Sequence, residues 1–205
     1  MAASSEADAA IVFFNVNPSQ TIGANESVRF GNINLTNGTF TLNSTTDPDF
    51  ALRFFGGTSL YNSSGGSIDW GLNGFGGDVL KLSYGASINP TAITSWGGGY
   101  DYLTQGGSGP WTGGANAYAA LRINAGGGNF NYGWVSINYD TAGPTATITG
   151  FAFEDQVNTA ILAGDQGAPA AVPEPGTWAA AALLMGGATY LGWRRRRDEA
   201  QKEAA

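Results

Sequence analysis

The chain has 205 residues and a net charge of −7, with no Cys and no His. Within this sequence those absences exclude a disulfide framework, Cys or His zinc ligation, a thiol nucleophile and a Ser-His-Asp relay, and the acidic balance argues against nucleic acid as a partner. Gly supplies 32 residues and charged side chains only 12%, respectively about twice and about half of the usual shares.

Residues 1–9 open with Met1-Ala2-Ala3-Ser4-Ser5, which has neither a basic n-region nor an apolar h-region. Ala7-Asp8-Ala9 still fits a small-x-small cleavage site directly before Ala10. The stretch therefore reads as a signal-peptide remnant, with a disordered tail as the alternative. An in-frame Lys/Arg-plus-apolar segment encoded upstream of Met1 is expected on the first reading.

Residues 10–165 show a hydrophobic period of two rather than 3.6. Ile11 to Val16 reads as a strand stopped by Pro18. Val28, Phe30, Ile33 and Leu35 lead into Asn37-Gly38, with Phe40 and Leu42 beyond; Asn-Gly between alternating runs is a hairpin signal, since both residues tolerate positive φ. Further strands are expected at Phe50–Phe55, Ser67–Trp70, Val79–Tyr84, Tyr118–Ile123, Gly133–Tyr139, Ala146–Phe153 and Thr159–Leu162. About nine to eleven short strands divided by Gly, Asn and Pro suggest an all-β, antiparallel β-sandwich or jelly-roll-like domain. In the Tyr132-Gly133-Trp134 cluster, Gly133 would let backbones approach and Trp134 would fill the core.

Glycines concentrate between Gly56 and Gly128, but none forms Gly-x-Gly-x-x-Gly before a helix, so phosphate cradling is unsupported. Residues 85–117 read as a long loop region carrying Trp96, Tyr100, Tyr102 and Trp111. These aromatics either anchor the loop to the domain or stack on sugar rings, which makes them the candidate glycan contacts. Asn25, Asn34, Asn37, Asn43 and Asn62 fit N-glycosylation patterns but read more simply as a polar outer face.

Residues 166–172 form a small-residue linker. From Pro175 to Trp193, 19 residues carry no charge, close to the roughly 20 that a membrane span needs. Trp178 and Trp193 mark the two ends, and Arg194, Arg195, Arg196 and Arg197 follow at once, which predicts a cytoplasmic C-terminus for the 198–205 tail. Residues 1–172 hold twelve acidic and four basic side chains, a net −8, while 173–205 carry a net +1. Such asymmetry marks an addressing segment rather than a feature of the fold.

Val172-Pro173-Glu174-Pro175, one hydrophobic helix over 176–193 and an arginine cluster near the chain end resemble the PEP-CTERM sorting domain of Gram-negative bacteria. The sorting signal would span 173–197. Two details depart from the family pattern: Ala179–Ala182 stands where Leu-Gly repeats are frequent, and the tail after Arg197 is long. The resemblance implies that Pro173, Glu174 and Pro175 are the motif recognised by an exosortase, a membrane transpeptidase. It further implies export, transit through the inner membrane, and association with the cell surface, extracellular matrix or exopolysaccharide. The segments Tyr132–Ile137, Ala146–Glu154 and Ala160–Gly164 also look like the end of the β-rich ectodomain common in that family, which brings no activity with it.

The acid–base candidates are scattered carboxylates: Asp47, Asp49, Asp69, Asp78, Asp101, Asp140, Glu154, Asp155 and Asp165. Their spacing shows no pair of the kind a glycosidase needs, and no Asp-x-Asp-x-Asp-Gly calcium loop is present. No catalytic residue, metal or cofactor is therefore expected. The expected function is a non-catalytic exported surface or matrix protein. The alternatives are a carbohydrate-binding module and, further off, a β-sandwich glycan hydrolase or lyase.

Overall fold

The computed structural model describes residues 10–23, 27–30, 33–34, 39–40, 50–55, 59–64, 67–74, 77–99, 101–105, 108–143 and 145–167. No helix occurs among them. In chain order the strands are β1 (Ile11–Gly23), β2 (Ser27–Phe30), β3 (Ile33–Asn34), β4 (Thr39–Phe40), β5 (Phe50–Phe55), β6 (Ser59–Ser64), β7 (Ile68–Gly71), β8 (Ser87–Ile88), β9 (Trp96–Gly97), β10 (Tyr102–Thr104), β11 (Ala115–Gly126), β12 (Asn129–Asp140), β13 (Thr145–Glu154) and β14 (Ile161–Leu162). They form a six-stranded sheet in the order β1-β13-β12-β11-β7-β9, a four-stranded sheet in the order β10-β6-β5-β2, and the pairs β14-β8 and β3-β4. Every pairing is antiparallel.

The meander β11–β12–β13 is the backbone of the large sheet, and the expected strands at Tyr118, Gly133 and Ala146 lie inside its three members. Gly126, Gly127 and Gly128 turn β11 into β12 with φ of 88°, 62° and 81°. Three consecutive left-handed residues would be strained for side chains bearing a Cβ, which explains the glycine run. Gly133 sits opposite Phe153, where an added Cβ would lie 2.5 Å from the Ala152 carbonyl oxygen. The absent side chain lets β12 and β13 close up beside Trp134.

Several expectations need correction. β1 does not stop at Pro18 but continues to Gly23. The ladder pairs Asn15 with Gly150 and next Gln20 with Ile148, so residues 16–19 stand out of register. A bulge on an edge strand is where a residue lacking an N–H can sit. Val79–Tyr84 is not a full strand; isolated bridges tie Val79 to Leu72 and Leu82 to Tyr118. Residues 85–117 are not a free loop, since β8, β9 and β10 fall within them. The hairpin around Asn37-Gly38 pairs Ile33 with Phe40 and Asn34 with Thr39; the connecting 35–38 lie outside the described residues.

The six-stranded sheet has an inner face that shares a core with the four-stranded sheet. Trp70, Leu121, Val135, Ile137, Ile148, Phe151 and Phe153 meet Leu52 of β5 and Leu103 of β10 there. Among the described residues, the outer face is covered over part of its length only. Ile88, Ile93, Ile161 and Ala163 pack on Ala120, Tyr132, Trp134 and Ala152. Along β12, residues 131–135 are consecutively buried, and burial then alternates toward Asp140. A strand reads that way when it passes from a two-sided to a one-sided environment.

Residues 1–9 and 168–205 lie outside the described residues. Pro173–Pro175, the 176–193 span and Arg194–Arg197 belong to that second segment. Among the described residues no helix is long and apolar enough to cross a membrane.

Candidate functional site

Of the four aromatics expected to meet a glycan, Trp111 and Trp96 lie on opposite faces of the six-stranded sheet. Trp111 is 0% exposed in the inner-face core, and its indole N–H donates to the Val79 carbonyl at 3.0 Å. It presents no ring face to a ligand. Trp96 packs on the opposite, outer face, with its ring centroid 5.7 Å from that of Tyr132 and its N–H on the Ile93 carbonyl at 2.8 Å. Tyr102 is half-buried in β10, and Tyr100 lies outside the described residues.

Trp96 belongs to a charged cluster at one end of the outer face. Arg122 and Asp69 are register partners on β11 and β7, and their side chains meet at 2.6 Å. The guanidinium carbon lies 4.3 Å from the Phe130 ring centroid and 5.2 Å from that of Trp96. Ion pair and ring contacts together hold the arginine in place.

A different part of the same face forms an open cavity of about 300 Å³, the lower end of the usual range of about 300–1,000 Å³ for ligand pockets. Its origin is a bulge in β13. Ala146 and Ile148 point into the inner core, and so do Phe151 and Phe153. The inward positions thus switch from even to odd, leaving Thr149 and Gly150 together on the outer side. Both neighbouring ladders break at this point: Ser136 pairs with Gly150 and Ile137 with Ile148, while Asn15 pairs with Gly150 and Gln20 with Ile148. Thr149 has no register partner in either ladder.

Asn15, Ser136, Thr149 and Gly150 from the broken registers line one side of the cavity. Thr149 Oγ1 donates to Ser136 Oγ at 2.9 Å. Gly150 keeps the floor low, because a Cβ there would meet the Phe14 carbonyl oxygen at 2.9 Å and the Phe13 ring at 3.1 Å. Phe13, Tyr118 and Trp134 supply the apolar side, and Gln166 closes the rim. Trp134 is fixed by an edge-on contact with Tyr118 at 5.3 Å, a tilted one with Phe13 at 5.9 Å, and an N–H bond to the Asp165 carbonyl at 2.9 Å.

Composition alone does not single out these residues. The readable signal is the parity change in Ala146, Ile148, Phe151 and Phe153, which marks Thr149-Gly150 as a bulge, and bulges recur beside functional sites.

Three of the described carboxylates are engaged separately. Asp69 is held by Arg122, Asp165 accepts the Gly167 N–H in its own turn at 3.0 Å, and Asp140 accepts the Ala142 N–H at 2.9 Å. Glu154 and Asp155 are adjacent at the end of β13, where Asn131 donates to both of their carbonyls. Burial, reinforced by Asp155, raises the Glu154 pKa above the ordinary glutamate value, although the Gln156 N–H opposes the shift. Asp47 and Asp49 lie outside the described residues.

Residues 171–197 match the family model of the PEP-CTERM protein-sorting motif. The match covers Pro173, Glu174, Pro175 and the four arginines, and it agrees with the resemblance seen in the sequence. No curated protein and no solved structure matches the chain.

Proposed function

We propose that this chain, which carries a PEP-CTERM sorting motif at 171–197, is an exported, non-catalytic protein of the cell surface or extracellular matrix, processed by an exosortase. The motif is the single observation that carries the reading. Its chemistry supports each step of delivery. Pro173 and Pro175 disfavour helix on either side of Glu174 and would leave it in an extended segment for the enzyme to read. The 19-residue run from Pro175 to Trp193 carries no charge and is close to the length of a membrane span; it would enter the bilayer, with Arg194–Arg197 keeping its end cytoplasmic. Cleavage near Pro173-Glu174-Pro175 would free the acidic β-rich domain from this anchor. The domain itself is read as a β-sandwich, a view supported by the core that the two larger sheets share. The non-catalytic reading is supported by the separate engagement of Asp69, Asp140 and Asp165. Association with the exopolysaccharide matrix of a Gram-negative cell completes the proposal.

The test is expression of the chain behind a secretory signal in a Gram-negative host, with and without its exosortase. With the enzyme present, the product should lose the mass of its C-terminal segment and leave the inner membrane. Glu174→Ala should hold it there at full mass. A product whose mass and location are the same in both hosts overturns the proposal.

A further inference from the structure

We infer that the cavity beside the β13 bulge is a binding site for a neutral sugar residue. The inference does not depend on sorting, because the cavity belongs to the β-rich domain whether or not the chain is ever cleaved.

Three observations lead to this ligand class. First, the polar lining is uncharged and two-sided in its hydrogen bonding. Asn15 and Gln166 offer amides, and Ser136 and Thr149 offer hydroxyls; each can both donate and accept. A sugar hydroxyl has the same dual character, whereas a carboxylate or phosphate only accepts and calls for a cation. Second, no Lys or Arg among the described residues lines the cavity. Arg122 is already engaged by Asp69 on the same sheet face, and residues 1–172 carry a net −8. An anionic glycan would thus meet an unfavourable field. Third, the half-buried rings of Phe13 and Tyr118, over the buried Trp134, give one wall an apolar surface suited to the C–H face of a sugar ring. Tyr84, 76% exposed, is tilted against Tyr118 with centroids 6.3 Å apart, which adds exposed ring surface next to that wall.

The bulge explains why a β-sheet face holds such a site. Two consecutive residues, Thr149 and Gly150, point outward; the first brings a hydroxyl and the second leaves space. A regular strand would have turned one of them into the inner core.

The experiment is calorimetric titration of the full-length chain in detergent micelles with three probes: cellotriose, mannotriose and trigalacturonate. At least one neutral trisaccharide should bind, and trigalacturonate should bind at least about tenfold more weakly for want of a charge-assisted partner. Asn15→Ala combined with Gln166→Ala should weaken neutral binding by about tenfold, the loss of two modest hydrogen bonds. Both residues are exposed, so the thermal midpoint should not move. Thr149→Trp, placed at the open mouth, should abolish binding by filling the space. The inference is overturned if neither neutral trisaccharide binds, if trigalacturonate binds as tightly, or if the Thr149→Trp chain binds like the parent. These results leave exosortase processing untouched, so the two proposals can fail separately.

Discussion

Two stretches of one sheet face differ in almost everything except their strands. Toward Tyr132 and Trp134, the outer face of the six-stranded sheet lies under Ile88, Ile93, Ile161 and Ala163. Toward Asn138 and Asp140, β11, β12 and β13 present Asn116, Asn138, Thr147 and Thr149 without that cover, and Thr21 reaches Thr147 side chain to side chain at 2.9 Å. The inner face is apolar behind both stretches. The covered stretch contributes stability through burial on two sides, and the bare one offers hydroxyls and amides to solvent or ligand. The cavity lies at the boundary, where ring surface and polar groups are both within reach.

The contrast breaks most severely at Trp134. Trp134→Ala removes a side chain that is 1% exposed and leaves the Asp165 carbonyl without its donor. A loss of about 3–5 kcal/mol is expected in urea unfolding. If the loss is under about 1 kcal/mol, the covered stretch does not hold the fold as described. Gly133→Ala comes next. Its methyl would sit 2.5 Å from the Ala152 oxygen, which the backbone must relieve by shifting, at a cost of about 1–3 kcal/mol. The Trp134 environment should change with it, visible as a shift of its indole N–H resonance.

A smaller effect is expected at Glu154, the one buried carboxylate among the described residues. Its folded-state pKa lies above the ordinary value, mainly through burial. The folded state therefore binds this proton more tightly than the unfolded state does. Stability from this group is present below the unfolded pKa and is lost as pH rises through the folded one. Glu154→Gln should flatten the fall in thermal midpoint over that window; an unchanged pH profile would contradict it. The smallest change belongs to the bare stretch. Thr147→Val alters the fold by less than about 0.5 kcal/mol, and an equilibrium loss comparable to that of Trp134→Ala would erase the distinction between the two stretches.

Much of this architecture was legible from alternation alone. Phe50–Phe55 appears with the bounds its apolar pattern suggests, and Trp134 is as buried as its Gly133 neighbour implied. β6 escaped notice because Ser-Leu-Tyr-Asn-Ser-Ser offers no hydrophobic alternation; its strand character comes from pairing with β5. The 85–117 region misled for a related reason. Its strands are two or three residues long and stand among glycines, so a pattern of period two never has room to show. Trp111 illustrates the consequence: surrounded by Gly and Thr in sequence, it is enclosed by residues far along the chain, including Val79. The cavity was illegible for a third reason. It draws on β1, β11, β12 and β13 together, and only pairing brings Asn15 beside Gly150 and Ser136.

The β13 bulge has one further consequence, for alignment during folding. Sliding a regular strand by two residues keeps every side chain on its proper face, so alternation alone cannot forbid such a slip. The displaced Thr149 removes that freedom. β12 must place its irregular step between Ser136 and Ile137, and β1 must place residues 16–19, opposite the same residue. A two-residue slip in either neighbour would set its irregularity against a regular stretch of β13. The same two residues that open the cavity thus act as a peg that fixes three strands in one alignment.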